Sequence, residues 1–258
     1  MKRLFIIAVS LMLCACSAFA FSGCGGGKKL IVATSPDFAP FEYREPGTNN
    51  IVGFDIELIT EIAKRMDVKI EIKAMDFDGI LSAVNTKTVD IGISGFTITD
   101  DRKENVLFSD PYINNHQVVV ARANDSRFDG IEDIEALEAL IKDMKIGACL
   151  GYVGATVAEW YTEDITTYEN ITIANTALTT ESIDCYIMDF GVATAAANNN
   201  SAVKVLNISL VDEDYGIIVN LSKTGLIADI NAKLAELKVK GNDGKSFIDN
   251  LKEKYNIE

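Results

Sequence analysis

The chain has 258 residues, 38 acidic against 24 basic side chains, a net charge of -14, one histidine and five cysteines. That length excludes a peptide-scale module and holds one large domain or two ordinary ones, each with its own core. The acidic balance excludes nucleic acid as a partner, because nothing here would neutralise phosphates.

Met1-Lys2-Arg3 and the apolar run over 4–13 form the charged and hydrophobic regions of an export signal, too short for a membrane span. Two exits are open. Ala18-Phe19-Ala20 fits a small-x-small cleavage pattern, while Phe21-Ser22-Gly23-Cys24 resembles a bacterial lipoprotein box with Phe where Leu is commonest. The second is preferred: residues 1–23 are then the signal peptide, Cys24 is lipidated, and 24–28 is a lipid-proximal, glycine-rich and cationic tether. Cys16 is a rival acceptor. Cys149 and Cys185 fall near opposite ends of their expected strands, too far apart for a disulfide, and are expected to be buried thiols.

Residues 30–34 read as a strand that Ser35-Pro36-Asp37 breaks, followed by the aromatic loop Phe38-Ala39-Pro40-Phe41-Glu42-Tyr43. Gly53-Phe54-Asp55 opens a helix with Asp55 as its N-cap and Ile59, Ile62, Ala63 and Met66 as its buried stripe. A strand over 68–74, a helix over 77–84 and a strand over 89–93 follow. This β, α, β, α, β order predicts a mostly parallel sheet with right-handed crossovers.

Ser94 and Gly95 then fall at a strand's carboxyl end, where ligands of open α/β sheets collect. Thr97 and Thr99 are capping residues, and Asp100, Asp101 and Arg102 occupy the first turn of a short helix. A cation there opposes the helix dipole unless an anion sits between it and the free N–H groups, which points to a carboxylate ligand. On this segment alone, neutralisation of Arg102 by Asp100 and Asp101 on a solvated surface weighs equally.

Asn114-Asn115-His116 interrupts the pattern before a strand over 117–121. A second cycle follows: a helix over 131–142, a strand over 145–149, the turn Gly151-Tyr152-Val153-Gly154 entering a helix that runs to Trp160, strands over 171–174 and 184–188 with Asp189 at the end, and a helix over 190–197. A strand over 215–220 and helices over 226–237 and 247–255 cannot bury themselves and are expected to return to the first unit, giving two crossings near 112–116 and 211–215.

Gly53-Phe54-Asp55-Ile56-Glu57-Leu58 with Ile62-Ala63 and Met66, Thr97-Ile98-Thr99-Asp100-Asp101-Arg102, Phe108-Ser109-Asp110-Pro111-Tyr112 and Glu213-Asp214-Tyr215-Gly216 together resemble the amino-acid class of bacterial extracellular solute-binding proteins, the soluble receptors of ABC importers. The likeness runs over 29–255. It implies the two-lobed α/β periplasmic binding protein fold, mostly parallel sheets with two hinge strands and a ligand cleft between lobes. Lobe 1 would be 29–111 and 216–258, the hinge 112–116 and 211–215, and lobe 2 117–210.

The resemblance also implies roles. Arg102 would hold the α-carboxylate as a bidentate fork, helped by the Thr97 amide and the backbone amides of Tyr152, Val153 and Gly154. Asp189, the Gly95 carbonyl and the Thr97 hydroxyl would take the α-ammonium. Phe38 and Phe77 would cover the ligand's aliphatic part and Ser94 would line the floor. Cys149 and Val153 stand where the family often carries a polar side chain and a threonine. The plainer alternatives are that Phe38 and Phe77 are core and that Asp189 caps the helix at Phe190.

The function this implies is an extracytoplasmic amino-acid receptor, not an enzyme, delivering to an ABC permease as a monomer held at the membrane by its lipid, with no cofactor and no metal. The rivals are a dehydratase-like enzyme on the same scaffold and a ligand-sensing subunit. No Gly-x-Ser-x-Gly elbow or metal-spaced His/Cys set supports the enzyme. Ser35 stands where relatives specific for basic amino acids carry an acid and favours a neutral or polar ligand. Asp37, Glu42 and Asp78 weigh the other way.

Overall fold

A computed structural model describes residues 29–257. The export signal, its cleavage sites and Cys24 lie outside the described residues.

The first sheet begins with β1 (Lys29–Thr34), whose inner residues are almost continuously buried, as a strand covered on both faces requires. Beside it lies β5 (Lys69–Ala74), where Lys-Ile-Glu-Ile-Lys-Ala alternates as an edge strand should. The pair is parallel, and β6 (Ile91–Gly92) joins β1 in parallel on its other side. Two helices cover the sheet. The first, α1 (Phe54–Arg65), buries Leu58, Ile59 and Ile62, and α2 (Phe77–Asn85) buries Phe77, Ile80 and Val84.

Three short strands, β2 (Asp37–Phe38), β3 (Glu42–Arg44) and β4 (Ile51–Val52), make a small antiparallel sheet after β1. The first sheet is completed by β7 (Val106–Phe108) and, from the far end of the chain, β13 (Ile218–Asn220), which lies antiparallel between β6 and β7.

The second sheet has a parallel trio of β10 (Ile165–Tyr168), β9 (Ile146–Cys149) and β11 (Cys185–Asp189). Two long strands extend it, β8 (Ile113–Arg122) antiparallel to β11 and β12 (Val203–Tyr215) antiparallel to β8. These two are also the chain's passages between the sheets. They run side by side from Val211 opposite Gln117 to Tyr215 opposite Ile113, beyond an irregularity that follows Leu206.

Several elements differ from the sequence reading. Residues 171–174 are the start of a helix, Ile171–Thr179, and not a strand; the strand of this region is β10. Ile-Thr-Ile is β-branched and reads locally as extended, but Asn170 accepts from the Ile173 amide, and Ile171, Ala174, Ala177 and Leu178 share one buried face. Asn114-Asn115-His116 does not interrupt β8, because Asn114 and Asn115 donate their side-chain amides across the ladder to Asp214 and Tyr215. The strand expected over 215–220 is split at Gly216, where a Cβ would come within 2.9 Å of the Phe108 ring. Cys149 and Cys185 are buried free thiols, each pushed up to about 12 by burial.

Asp55 is not the helix N-cap. Gly53 holds that position with φ of 133°, and a Cβ there would lie 2.1 Å from the Phe41 carbonyl oxygen. Asp55 instead turns inward and accepts from the Gly95 amide at 3.0 Å and the Tyr112 hydroxyl at 2.8 Å. Glu42, fully buried beside it, accepts from the Ser94 hydroxyl, which in turn accepts from the Ser35 amide. Each carboxyl keeps one oxygen without a donor, and the two carboxyls touch. One shared proton satisfies both oxygens and removes one buried charge. Burial first, and then the charge of Asp55, push the Glu42 carboxyl well above the usual range, so Glu42 keeps the proton.

In the unfolded chain both acids ionise near pH 4, so above that pH the folded state binds more protons and its stability falls as pH rises. The melting temperature is therefore expected to drop between about pH 5 and pH 8. Glu42→Gln, which keeps a donor toward Asp55 without the ionisation, should flatten this slope and melt about 2–4 °C higher at pH 8. Identical slopes in thermal scans of the two proteins would refute the shared proton.

Candidate functional site

The site lies where the carboxyl ends of strands from both sheets face one another. From the first sheet, β6 delivers the segment 94–97. Gly95 has φ of 57°, and a Cβ there would sit 2.5 Å from the Phe38 ring, so only glycine lets that ring lie flat on the loop. Thr97 bridges to Tyr215 on β12, and its hydroxyl donates to Glu213 at 2.7 Å.

Thr99 then caps α3 (Asp100–Lys103), accepting from the Arg102 amide. The guanidinium of Arg102 donates to the Thr97 carbonyl at 2.8 Å and, across the gap, to the Gly151 carbonyl at 3.0 Å. It lies 5.6 Å from the ring centres of both Phe77 and Phe96, a geometry that favours a cation. Asp100 pairs with Lys103, and Arg102 has no ion pair among the described residues, so the solvated neutralisation considered from the sequence does not form. Burial pushes the Arg102 guanidinium down, while the charges of Asp189 and Glu213 act in the opposite direction.

From the second sheet, β11 ends in Asp189, almost wholly buried. It occupies the N-cap position of the helix Phe190–Asn199, yet its carboxylate caps nothing; it accepts from the Tyr215 hydroxyl instead. After β9 the chain turns through Gly151 into the short helix Val153–Ala158, bringing Tyr152 and Val153 to the same place.

Phe38, Phe77, Gly95, Thr97, Arg102, Tyr152, Val153 and Asp189 enclose a space of about 10 Å³, roughly one water-sized sphere. The structure thus gathers most of the residues read from the sequence. Ser94 and Gly154 are not in this lining. The Ser94 hydroxyl is spent on Glu42 behind the cleft, and Gly154 packs on β11, where a Cβ would come within 2.8 Å of the Ile187 carbonyl.

Tyr152 is the residue the sequence reading missed, having considered only its amide. Its ring stands 4.4 Å from Phe77 and 5.5 Å from Phe38, centre to centre, and lines the space with them. The signal was present, since an aromatic residue just beyond a strand's end is what drew notice to Phe38 and Phe77. Glu213 and Tyr215 were also missed as site residues, although both lie in a quoted motif. Glu42, weighed as a neighbour of the ligand, is walled off in the first sheet's interior.

Two further grooves are present. One of about 960 Å³ lies beyond Arg102 and shares Thr97, Arg102, Tyr152 and Val153 with it, so the hydrogen bond from Arg102 to Gly151 is part of the partition. The other, about 370 Å³, is lined by Asp76, Asp78, Leu150, Thr167, Tyr168 and Glu169. Nearby, Asp37 accepts from the Ser35 hydroxyl at 2.8 Å. Burial pushes the Asp37 carboxyl up, and the charges of Asp76 and Glu169 add to the shift.

Comparison with known proteins agrees with this architecture. The family model for bacterial extracellular solute-binding proteins, family 3, matches residues 30–256. A probable histidine-binding protein of Neisseria gonorrhoeae is 32% identical over 252 residues, 90% of this chain and 91% of that protein. Among solved structures, holo ArgBP from T. maritima is 34% identical with a TM-score of 0.75, covering 88% of this chain and 96% of that one. The arginine-, lysine-, histidine-binding protein ArtJ from Geobacillus stearothermophilus is 29% identical with a TM-score of 0.76, over 88% and 95%. With two sheets joined by paired strands, charged and aromatic residues converging between them, and a match over almost the whole described chain, this protein belongs to the bacterial extracellular solute-binding proteins, family 3.

Proposed function

We propose that this protein is an extracytoplasmic amino-acid receptor of an ABC transporter that closes on the ligand's zwitterion between Arg102 and Asp189. The observation that carries the reading is the convergence of a guanidinium from the first sheet and a carboxylate from the second on one enclosed space. A zwitterion leaving water loses hydration at both ends, and each end must meet a full charge in good geometry. Arg102 forks onto the carboxylate, exchanging its bonds to backbone carbonyls for charged ones. Asp189 and Thr97 take the ammonium, while Phe38, Phe77 and Tyr152 pack on the side chain.

The space of about 10 Å³ admits no amino acid as it stands, so binding requires the lobes or Tyr152 to move. We assign 29–111 and 216–258 to lobe 1, 117–210 to lobe 2, and 112–116 with 211–215 to the hinge, because these two segments lie on the paired strands that carry the chain across. Contacts split between lobes form fully only on closure, so the ligand favours the closed form.

The relatives' printed ligands and the acids around the mouth together support an amino acid with a cationic side chain, against the neutral preference drawn from Ser35. Ser35 does not stand alone: its hydroxyl serves Asp37, which sits with Asp76 and Glu169 beside the aromatic walls. The reading is of a binding protein without covalent chemistry, without cofactor or metal, working as a monomer with a membrane permease. The dehydratase-like and sensory alternatives have no observation in their favour here.

Calorimetry of the processed protein, stripped of co-purified ligand, is expected to give micromolar or tighter binding of arginine, lysine or histidine, weaker binding of glutamine, and no heat after saturation. Arg102→Ala and Asp189→Asn should each weaken binding by roughly a hundredfold or more, since each strands a buried charge of the ligand. Continuing heat from turnover, or full affinity in Arg102→Ala, would overturn the assignment. No helix among the described residues is long and apolar enough to cross a membrane. We propose that the chain is exported, cut before Cys24 and anchored by lipid on Cys24. Cys24→Ala should move the protein from the membrane to the soluble fraction, and retention at the membrane would count against the anchor.

A further inference from the structure

The acidic end of the cleft holds a second carboxyl that the proposed clamp does not use. Glu213 on β12 is buried and in hydrogen-bond contact with Asp189. Its Oε2 accepts from the Thr97 hydroxyl at 2.7 Å, and its Oε1 accepts from Gln117 Nε2 on β8 at 2.9 Å. Glu213 therefore touches a loop of the first sheet and two strands of the second, at the point where the chain crosses between them.

The groups around it are few. Asp189 faces it from β11, and the charge of Glu213 acts on the Arg102 guanidinium. From β8 come Asn115, its partner in the ladder, and Gln117, with His116 stacked away on Phe190. On its own strand Tyr215 donates to Asp189, while Asp214 is held by Asn114 and Asp212 by Ser209. Burial first, and then the charge of Asp189, push the Glu213 carboxyl well above its usual range. Glu213, buried against a second carboxyl, therefore retains its proton.

A hydroxyl carries one proton, and Thr97 directs its own to Glu213. The oxygen's lone pairs are left for a donor arriving in the cleft that Thr97 lines. An ammonium there donates to Thr97 and to Asp189 at once, and both bonds strengthen when Glu213 becomes anionic. The exchange also balances: one positive charge enters, the O–H bond of Glu213 breaks, and one proton leaves to the buffer.

We propose that Glu213 keeps its proton beside Asp189 before the ligand binds, and that docking of the α-ammonium expels it, with Glu213 as the positioning residue that aims Thr97. This rests on the reading of the cleft as a zwitterion clamp. The experiment is calorimetric titration of the processed protein with arginine, and with histidine and glutamine as alternates, at about pH 7 in phosphate and in Tris, whose ionisation heats differ widely. In the wild-type protein the observed enthalpies should differ by the heat of close to one proton released per ligand. Glu213→Gln keeps an acceptor for Thr97 and a donor for Asp189 but cannot lose the proton, so it should bind roughly tenfold more weakly with no buffer dependence. Binding with the same enthalpy in both buffers in the wild-type protein overturns the proposal, and that arm stands whether or not the variant folds. Buffer dependence that survives in Glu213→Gln assigns the proton elsewhere and overturns it too. Absence of saturable binding by any of the three amino acids removes the clamp and this inference together.

Discussion

Opposite full charges carried by different sheets, aimed into one narrow gap, are the constraint on which the rest of this structure depends. Neither sheet alone offers a zwitterion both partners. Arg102 reaches the gap because Thr99 starts a four-residue helix after β6, and Asp189 reaches it because β11 ends there. The chain crosses between the sheets on adjacent strands, β8 and β12, and buried residues of both sheets meet in one cluster around the gap. Arg102 donates to the Thr97 and Gly151 carbonyls, which hold the guanidinium in place at the gap.

Behind the gap, acids are arranged in touching pairs. Glu42 with Asp55 supports the Gly95 loop from within the first sheet, and Glu213 with Asp189 lies on the second sheet's side. In each pair one member keeps a proton, which limits the buried charge while leaving acceptors for backbone and hydroxyl donors. The first pair lies in the interior and makes stability depend on pH. The second contains a cleft residue, and there the same chemistry becomes available to the ligand.

Much of this was legible in the sequence, for physical reasons that differ by residue. The helix Phe247–Tyr255 could be placed because a glycine turn over 241–244 precedes it, and the structure adds a reciprocal cap of Ser246 and Asp249. Arg102 drew notice because a cation opposes the dipole at a helix start, although a solvated pairing explained it equally well, and the role of Asp189 came from the family resemblance. The helix Ile171–Thr179 was misread because its first turn is β-branched, and the cap at Asn170 that starts it was not considered. Glu42 and Glu213 could not be assigned, because nothing in a linear sequence marks an acid as buried. The partner of Glu213, Thr97, is 116 residues away. The ring of Tyr152 was overlooked because the motif around it directs attention to backbone amides.

The most direct measurement is a crystal structure of the processed protein with its amino acid bound. Both carboxylate oxygens are expected within hydrogen-bond distance of the Arg102 guanidinium, with the ammonium on Asp189 and Thr97 and the Tyr152 ring moved onto the ligand's side chain. A bound amino acid lying elsewhere, with Arg102 still on the Gly151 carbonyl and Asp189 making no contact to the ligand, would contradict the account.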